Sequence, residues 1–318
     1  MAGSTALPPH AATLSLGTAF LLLAAVCAFA ANSILCRLAL ADGHIDALSF
    51  TSVRLVSGAV ILTFILVAKS RHPVIAIDPL ATLALMVYAL AFSISYIGLA
   101  AGVGALLLFG AVQVTMLSAS IWRGERLSYQ SWCGFALAVV GLVTYLQPGD
   151  RSAPMPAVAA MLIAGCAWGI YSLRGAQGQD PVAATASNFL TAAPITVALA
   201  FLFSDGGHIT THGIVLAALS GAVTSGLGYV LWYHVVKRIA AFTAATVQLG
   251  VPVLAALGGV ITLGEPLTLR LTFASITVLG GVALAIKGRQ ISVAAASARD
   301  THRAGPTMHE QWIHGAGI

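Results

Sequence analysis

Charge is what this sequence has least of. Only 8% of its 318 residues are Asp, Glu, Lys or Arg, while 58% are hydrophobic and the mean hydropathy is +0.94. So little polar surface excludes a water-soluble globule of this length. Strict alternation of apolar and polar residues is missing too: runs such as Leu16 to Ala31 and Val251 to Leu263 are continuous, which sets aside a transmembrane β-barrel. The four cysteines, Cys27, Cys36, Cys133 and Cys166, form no CxxC pattern and have no His-rich neighbours, so no metal site is expected. There is no Walker sequence, and no nucleophile paired with a base inside an apolar run, so neither ATP, nor any other cofactor, nor an enzyme activity is expected. The net charge of +5 comes from basic residues in the breaks between runs, where membrane orientation accounts for them better than nucleic acid does.

What remains is apolar sequence in lengths that span a bilayer, about 20 residues each. Ten transmembrane helices are predicted, over residues 15–37, 46–68, 79–100, 102–122, 129–147, 156–175, 181–203, 212–234, 240–263 and 268–287. Asp78-Pro79 and Asp180-Pro181 read as helix starts, and Gly149-Asp150 and Gly206-Gly207 as turns. Residues 1–14 read as a leader and 288–318 as a polar, disordered tail. Ala28-Phe-Ala30 has the A-x-A form of a signal cleavage site, but no Lys or Arg precedes the run, so it reads as part of the first span.

Lys and Arg alternate in density between successive breaks. With the N-terminus cytoplasmic, one side holds Lys69, Arg71, Arg123, Arg126, Arg174, Lys237, Arg238, Lys287, Arg289, Arg299 and Arg303. The other holds Arg37, Arg151 and Arg270. The positive-inside rule then predicts a multi-pass protein of the inner (plasma) membrane with both termini cytoplasmic.

The spans also repeat. Gly124-Glu-Arg-Leu-Ser128 follows the fourth and Gly264-Glu-Pro-Leu-Thr268 the ninth, and at the same offset of 140 Gly141 matches Gly281. Near the start of each half, Cys27-Ala-Phe-Ala-Ala-Asn-Ser33 aligns with Cys166-Ala-Trp-Gly-Ile-Tyr-Ser172 at an offset of 139. Two five-helix units are therefore expected, over 15–147 and 156–287. Because five is odd, the second enters the membrane from the opposite side, which is an inverted repeat of the kind secondary transporters use.

The paired Gly-Glu-x-Leu-[Ser/Thr] motifs, each closing an apolar helix, resemble the EamA-type repeats of the drug/metabolite transporter superfamily. The resemblance covers roughly residues 15–287 and implies the same ten-helix, two-repeat layout. It departs at one point: Pro252 precedes the second motif, whereas Val112 stands at the matching place in the first, leaving no cause for a kink in the fourth helix. Independently of any family, Gly124 and Gly264 suit left-handed helix ends, and Ser128 and Thr268 suit caps of the next helix. Glu125 and Glu265 read either as ties for the helical hairpins, bonding to backbone donors, or as gating or proton-sensing groups.

Polar residues within hydrocarbon point to function, since they cost free energy unless paired or facing a wet cavity. Arg54 lies about 12 Å into the second helix at 1.5 Å per residue, where an Arg costs on the order of 2.5–3.5 kcal/mol. It reads either as a snorkelling or packing residue or as the partner of a substrate carboxylate. Asn32, Gln113, Asn188 and Gln248 are embedded amides, and Trp168 and Tyr229 are deep aromatics. These seven are the candidate substrate-binding residues. Gly98-x-x-x-Gly102, Gly165-x-x-x-Gly169 and Gly221-x-x-x-Ser225 read as close helix contacts. The leading expectation is a secondary transporter exporting small amino-acid-like or amphipathic metabolites by alternating access, as a monomer or weak homodimer. Its partners would be a small-molecule substrate and the lipid bilayer. An intramembrane enzyme and a membrane sensor or assembly partner are the alternatives.

Overall fold

In hydrocarbon every backbone N–H and C=O must be satisfied within the chain, and a run of apolar residues does this as a helix. The computed structural model describes residues 16–69, 77–122, 128–146, 153–175, 180–204, 209–236 and 247–303, and all the regular structure among them is helical. In chain order the helices are α1 (Leu16–Ala41), α2 (Ala47–Lys69), α3 (Pro79–Gly98), α4 (Ala101–Trp122), α5 (Tyr129–Leu146), α6 (Met155–Gly175) and α7 (Pro181–Phe203). The eighth, α8, is continuous but changes pitch, from α-helical Thr211–Leu219 through π-helical Ser220–Leu227 to α-helical Gly228–Val236. Then come α9 (Gly250–Leu263) and α10 (Leu269–Arg303). Eight of these ten are long and apolar enough to cross a membrane, and α5 and α9 are shorter apolar helices.

The expected punctuation is present. Asp78 and Asp180 accept backbone N–H groups at the starts of α3 and α7, each with Pro in the first turn. Ser128 accepts from Ser131 N at 3.1 Å and Thr268 from Leu271 N at 3.1 Å, capping α5 and α10. Gly264 ends α9 with φ +63°, a left-handed conformation that a Cβ would penalise. Gly124, Glu125, Gly149-Asp150 and Gly206-Gly207 lie outside the described residues, as do the leader and residues 304–318.

One boundary differs from expectation. Helix α10 runs on to Arg303, past the Gly288 at which the sequence suggested that helix would give way to a disordered tail. The reason is composition, since Ala294-Ala-Ala-Ser-Ala298 is built from the strongest helix former.

Helix pairing carries the inverted repeat. α1 packs on α8 and α9, α6 packs on α3 and α4, and α2, α4 and α5 meet α7, α9 and α10. Exchanging each helix for the one five places along reproduces this set. The last pair is antiparallel: Ser131 Oγ donates to Ala285 O near the start of α5, and Arg270 donates to Thr144 O near its end. α5 and α10 approach through glycine, because a Cβ on Gly281 would stand 2.5 Å from Ala138 N and 2.6 Å from Gly134 O. Large apolar side chains point outward instead, among them Phe20, Phe64, Phe201 and Phe273, as a lipid-facing surface requires.

Two ion pairs mark the two ends of the bundle. Arg174, closing α6, meets Asp78 at 2.8 Å at one end. Arg37, near the finish of α1, meets Glu265 at 3.3 Å at the other.

Candidate functional site

The site begins with a close helix crossing. Gly221 brings α8 so near α2 that a Cβ there would collide with the Arg54 carbonyl and the Ser57 hydroxyl. Over this contact α8 widens into its π-helical turns, a distortion that often accompanies functional sites. The widened turns present Ser225, whose Oγ accepts from Arg54 Nε at 3.1 Å.

Arg54 is 1% exposed. Its NH2 nitrogen donates to the Tyr88 hydroxyl at 3.0 Å, and its guanidinium carbon lies 5.2 Å from the Tyr88 ring centre and 5.1 Å from that of Phe92. The NH1 nitrogen is buried and has no hydrogen-bond partner. Neither ion pair among the described residues includes Arg54, so its charge is held by hydroxyls and ring faces alone. The snorkelling reading fails on geometry, because this side chain ends inside the bundle.

A cavity adjoins this cluster, lined by Tyr88, Ser225, Phe92, Asn32, Trp168, Tyr229 and Gln248 with neighbours from α1, α4 and α8. It is small, with about 30 Å³ open to the centre of a water molecule, which is room for waters and too little for a metabolite. Binding a metabolite therefore requires the helices to part.

Three polar features shape its walls. Asn32 Oδ1 accepts from the Ser220 hydroxyl at 2.7 Å and lies 3.1 Å from the Thr224 hydroxyl, so α1 is tied to the π-helical turns. Trp168 stacks obliquely on Tyr88 (4.7 Å), Tyr229 (5.2 Å) and Tyr171 (5.4 Å), forming an aromatic wall between α3, α6 and α8. Gln248 sits just before a turn at Leu249, where Pro252 has no N–H to return to the Gln248 carbonyl. The fourth helix, with Val112 at the matching place, runs unbroken, as that valine led one to expect.

Of the seven sequence candidates, Asn32, Trp168, Tyr229 and Gln248 line this one cavity, and Arg54 lies directly behind it through Tyr88 and Ser225. Asn188 is apart, buried on α7 with its Oδ1 3.4 Å from the Thr82 hydroxyl. Gln113 is half-buried on α4 and is not among the lining residues. Sequence reasoning did not select Tyr88 or Ser225. Ser225 was visible only as the second small residue of Gly221-x-x-x-Ser225, where packing explained it sufficiently.

The Glu265 carboxylate reaches across to the first half of the chain. Its Oε2 accepts from the backbone N–H of Ala101 at 2.8 Å, at the corner between α3 and α4, while Oε1 takes Arg37 Nε. Arg37 in turn caps the end of α3 through the carbonyls of Tyr96 (2.9 Å) and Ile97 (2.8 Å).

Residues 155–287 match the model of the EamA-like transporter family. An uncharacterized protein of Pseudomonas aeruginosa is 48% identical over 273 residues, 86% of this chain and 95% of that protein. An uncharacterized transporter of Archaeoglobus fulgidus is 26% identical over 208 residues, 64% of this chain and 74% of its own length. A chain of known crystal structure, 18% identical, superimposes over 85% of this chain and 96% of itself with a TM-score of 0.62, so the two share a fold. The family match in the second half, the related transporter and the helical architecture agree: the chain belongs to the EamA-like transporter family of the drug/metabolite transporter superfamily, whose members are multi-pass membrane transporters of small molecules.

Proposed function

We propose that this protein is a secondary transporter that exports a small amphipathic or amino-acid-like metabolite by alternating access, binding it in the cavity between the two halves. One observation supports this most: a fully buried arginine whose NH1 nitrogen is unpartnered and whose charge no carboxylate of the described residues meets. Such a group is costly to keep, and a ligand carboxylate is the natural partner to offset that cost. Asn32, Gln248, Trp168 and Tyr229 would hold the rest of the ligand, with Asn188 and Gln113 reached as the helices part. On this reading the protein is not an enzyme, works as a monomer or weak homodimer in the inner membrane, and keeps both termini in the cytoplasm.

The test is flux through the purified chain in proteoliposomes, using radiolabelled amino acids and organic carboxylates. Wild type is expected to move at least one compound faster than protein-free vesicles, and Arg54→Ala to insert normally and move none. Equal flux by the two proteins would take Arg54 out of the site. No flux of any compound would defeat the transporter reading.

A further inference from the structure

The direction of the hydrogen bonds around Arg54 says more about the ligand than the presence of a charge does. A guanidinium has donors only. The Ser225 and Tyr88 oxygens that meet it must therefore act as acceptors, so each hydroxyl hydrogen points elsewhere. Neither hydroxyl donates to any other described group, and both residues line the cavity. Asn32, another lining residue, is committed in the same sense: its Oδ1 is occupied by Ser220 and Thr224, which leaves its NH2 group to donate. Three polar groups from α1, α3 and α8 are thus left as donors, with the charge of Arg54 behind two of them. Among the described residues no Asp or Glu lines the cavity, and Gln248 offers an amide that can serve either way. The remaining surface is aromatic.

From this we infer that the site selects net-anionic ligands: aromatic or similarly planar monocarboxylates without an ammonium group, in preference to zwitterionic amino acids and to amines. This rests on the transporter reading and narrows it. A monocarboxylate brings the buried charge to zero and supplies the acceptors that the hydroxyls and the amide lack. A zwitterion also presents a carboxylate, but its ammonium enters a cavity that offers no acid, and the total charge stays positive in a medium of low dielectric constant. An amine adds a second cation and finds no counter-charge at all. The planar body follows from Trp168 and Tyr229, whose tilted rings form an aromatic wall of the cavity.

Three compounds that share one ring system isolate the charge: indole-3-propionate, L-tryptophan and tryptamine. Their binding to purified protein in nanodiscs, measured by calorimetry at neutral pH, is expected to favour indole-3-propionate over the other two by at least about tenfold, the scale of one hydrogen bond to a charged group. Tyr88→Phe and Ser225→Ala, each removing one donor, are expected to weaken indole-3-propionate binding by about tenfold and to narrow its margin over L-tryptophan. Equal or tighter binding of L-tryptophan or tryptamine would overturn the inference, as would failure of indole-3-propionate to bind, or an unchanged margin in both variants. Flux of indole-3-propionate in proteoliposomes is read separately: tight binding without flux leaves the site chemistry standing and removes the transporter reading.

Discussion

Arg37 and Glu265 meet at 3.3 Å across the two halves of the chain, one turn of α1 beyond Ser33 of the cavity wall. Both are partly buried, with side chains 21% and 14% exposed, so water screens the pair less than it would on an open surface. Together with the bonds to Ala101 N, Tyr96 O and Ile97 O, the pair fastens α1, the α3–α4 corner and the end of α9 at a single point. A bundle that admits a ligand from this end has to break it.

Cys36, fully buried beside Arg37, reports that opening. In a background with Cys27, Cys133 and Cys166 replaced by alanine, Glu265→Gln keeps an acceptor for Ala101 N and loses the charge that holds Arg37. Labelling of Cys36 by a membrane-impermeant maleimide is expected to accelerate by about tenfold, corresponding to roughly 1.4 kcal/mol in the opening equilibrium. An unchanged rate would mean that the pair does not govern access.

Neighbouring glycines on α10 separate close packing from helix propensity. A Cβ on Gly281 would meet the α5 backbone at 2.5 Å, whereas nothing lies within 4 Å of one on Gly280. Gly281→Ala is expected to destabilise the protein in detergent by about 1–3 kcal/mol, the usual scale of overpacking, and Gly280→Ala to leave its melting temperature unchanged or slightly raised. Similar melting curves for the two variants would contradict the seam as described.

Asp78 carries a pH dependence of known sign. The backbone N–H of Ala81, the Arg174 guanidinium and the N–H of Leu80 hold its carboxyl below the ordinary 3.8. A depressed carboxylate stabilises the folded state above its unfolded value, and that contribution disappears as pH falls through the lower, folded value. Asp78→Ala should therefore lower stability by about 1 kcal/mol at neutral pH, the scale of a lost helix cap. The gap from wild type should close well below pH 3.8, and thermal unfolding in detergent at both extremes checks it.

Much of this architecture was legible because hydrocarbon allows few alternatives. Once the spans were counted, the Gly-Glu motifs and the odd number per half implied inversion, and the antiparallel α5 and α10 carry it out. The candidate site was legible only in part. Arg54, Asn32 and Gln248 stood out because polar groups in a span need a reason. Tyr88 and Ser225 did not, since tyrosine and serine are commonplace in helices, and their role depends on a π-helical stretch that no residue pattern announced. Asn188 shows the reverse case: it satisfied the same sequence criterion as Asn32, yet its neighbour is Thr82 rather than the cavity. Polarity within a span marks a need for partners, and only the packing decides whether the partner is protein or ligand.

Arg54 sets stability against function. Breaking a buried pair usually destabilises because a charge is left behind, but here the charge itself lacks an acidic partner, and removing it leaves hydroxyls that can bond to one another or to water. Met is close in length to the arginine stem and packs well against the Tyr88 and Phe92 rings that now flank the guanidinium. Arg54→Met is therefore expected to raise the melting temperature of the purified protein while eliminating flux and carboxylate binding. Arg54→Lys keeps a cation that cannot reach Ser225 and Tyr88 as a rigid fork, so it should retain the wild-type melting temperature and lose most binding. A fall in melting temperature for Arg54→Met by several degrees would show that the arginine supports the fold, and the case for a ligand as its missing partner would lose its energetic basis.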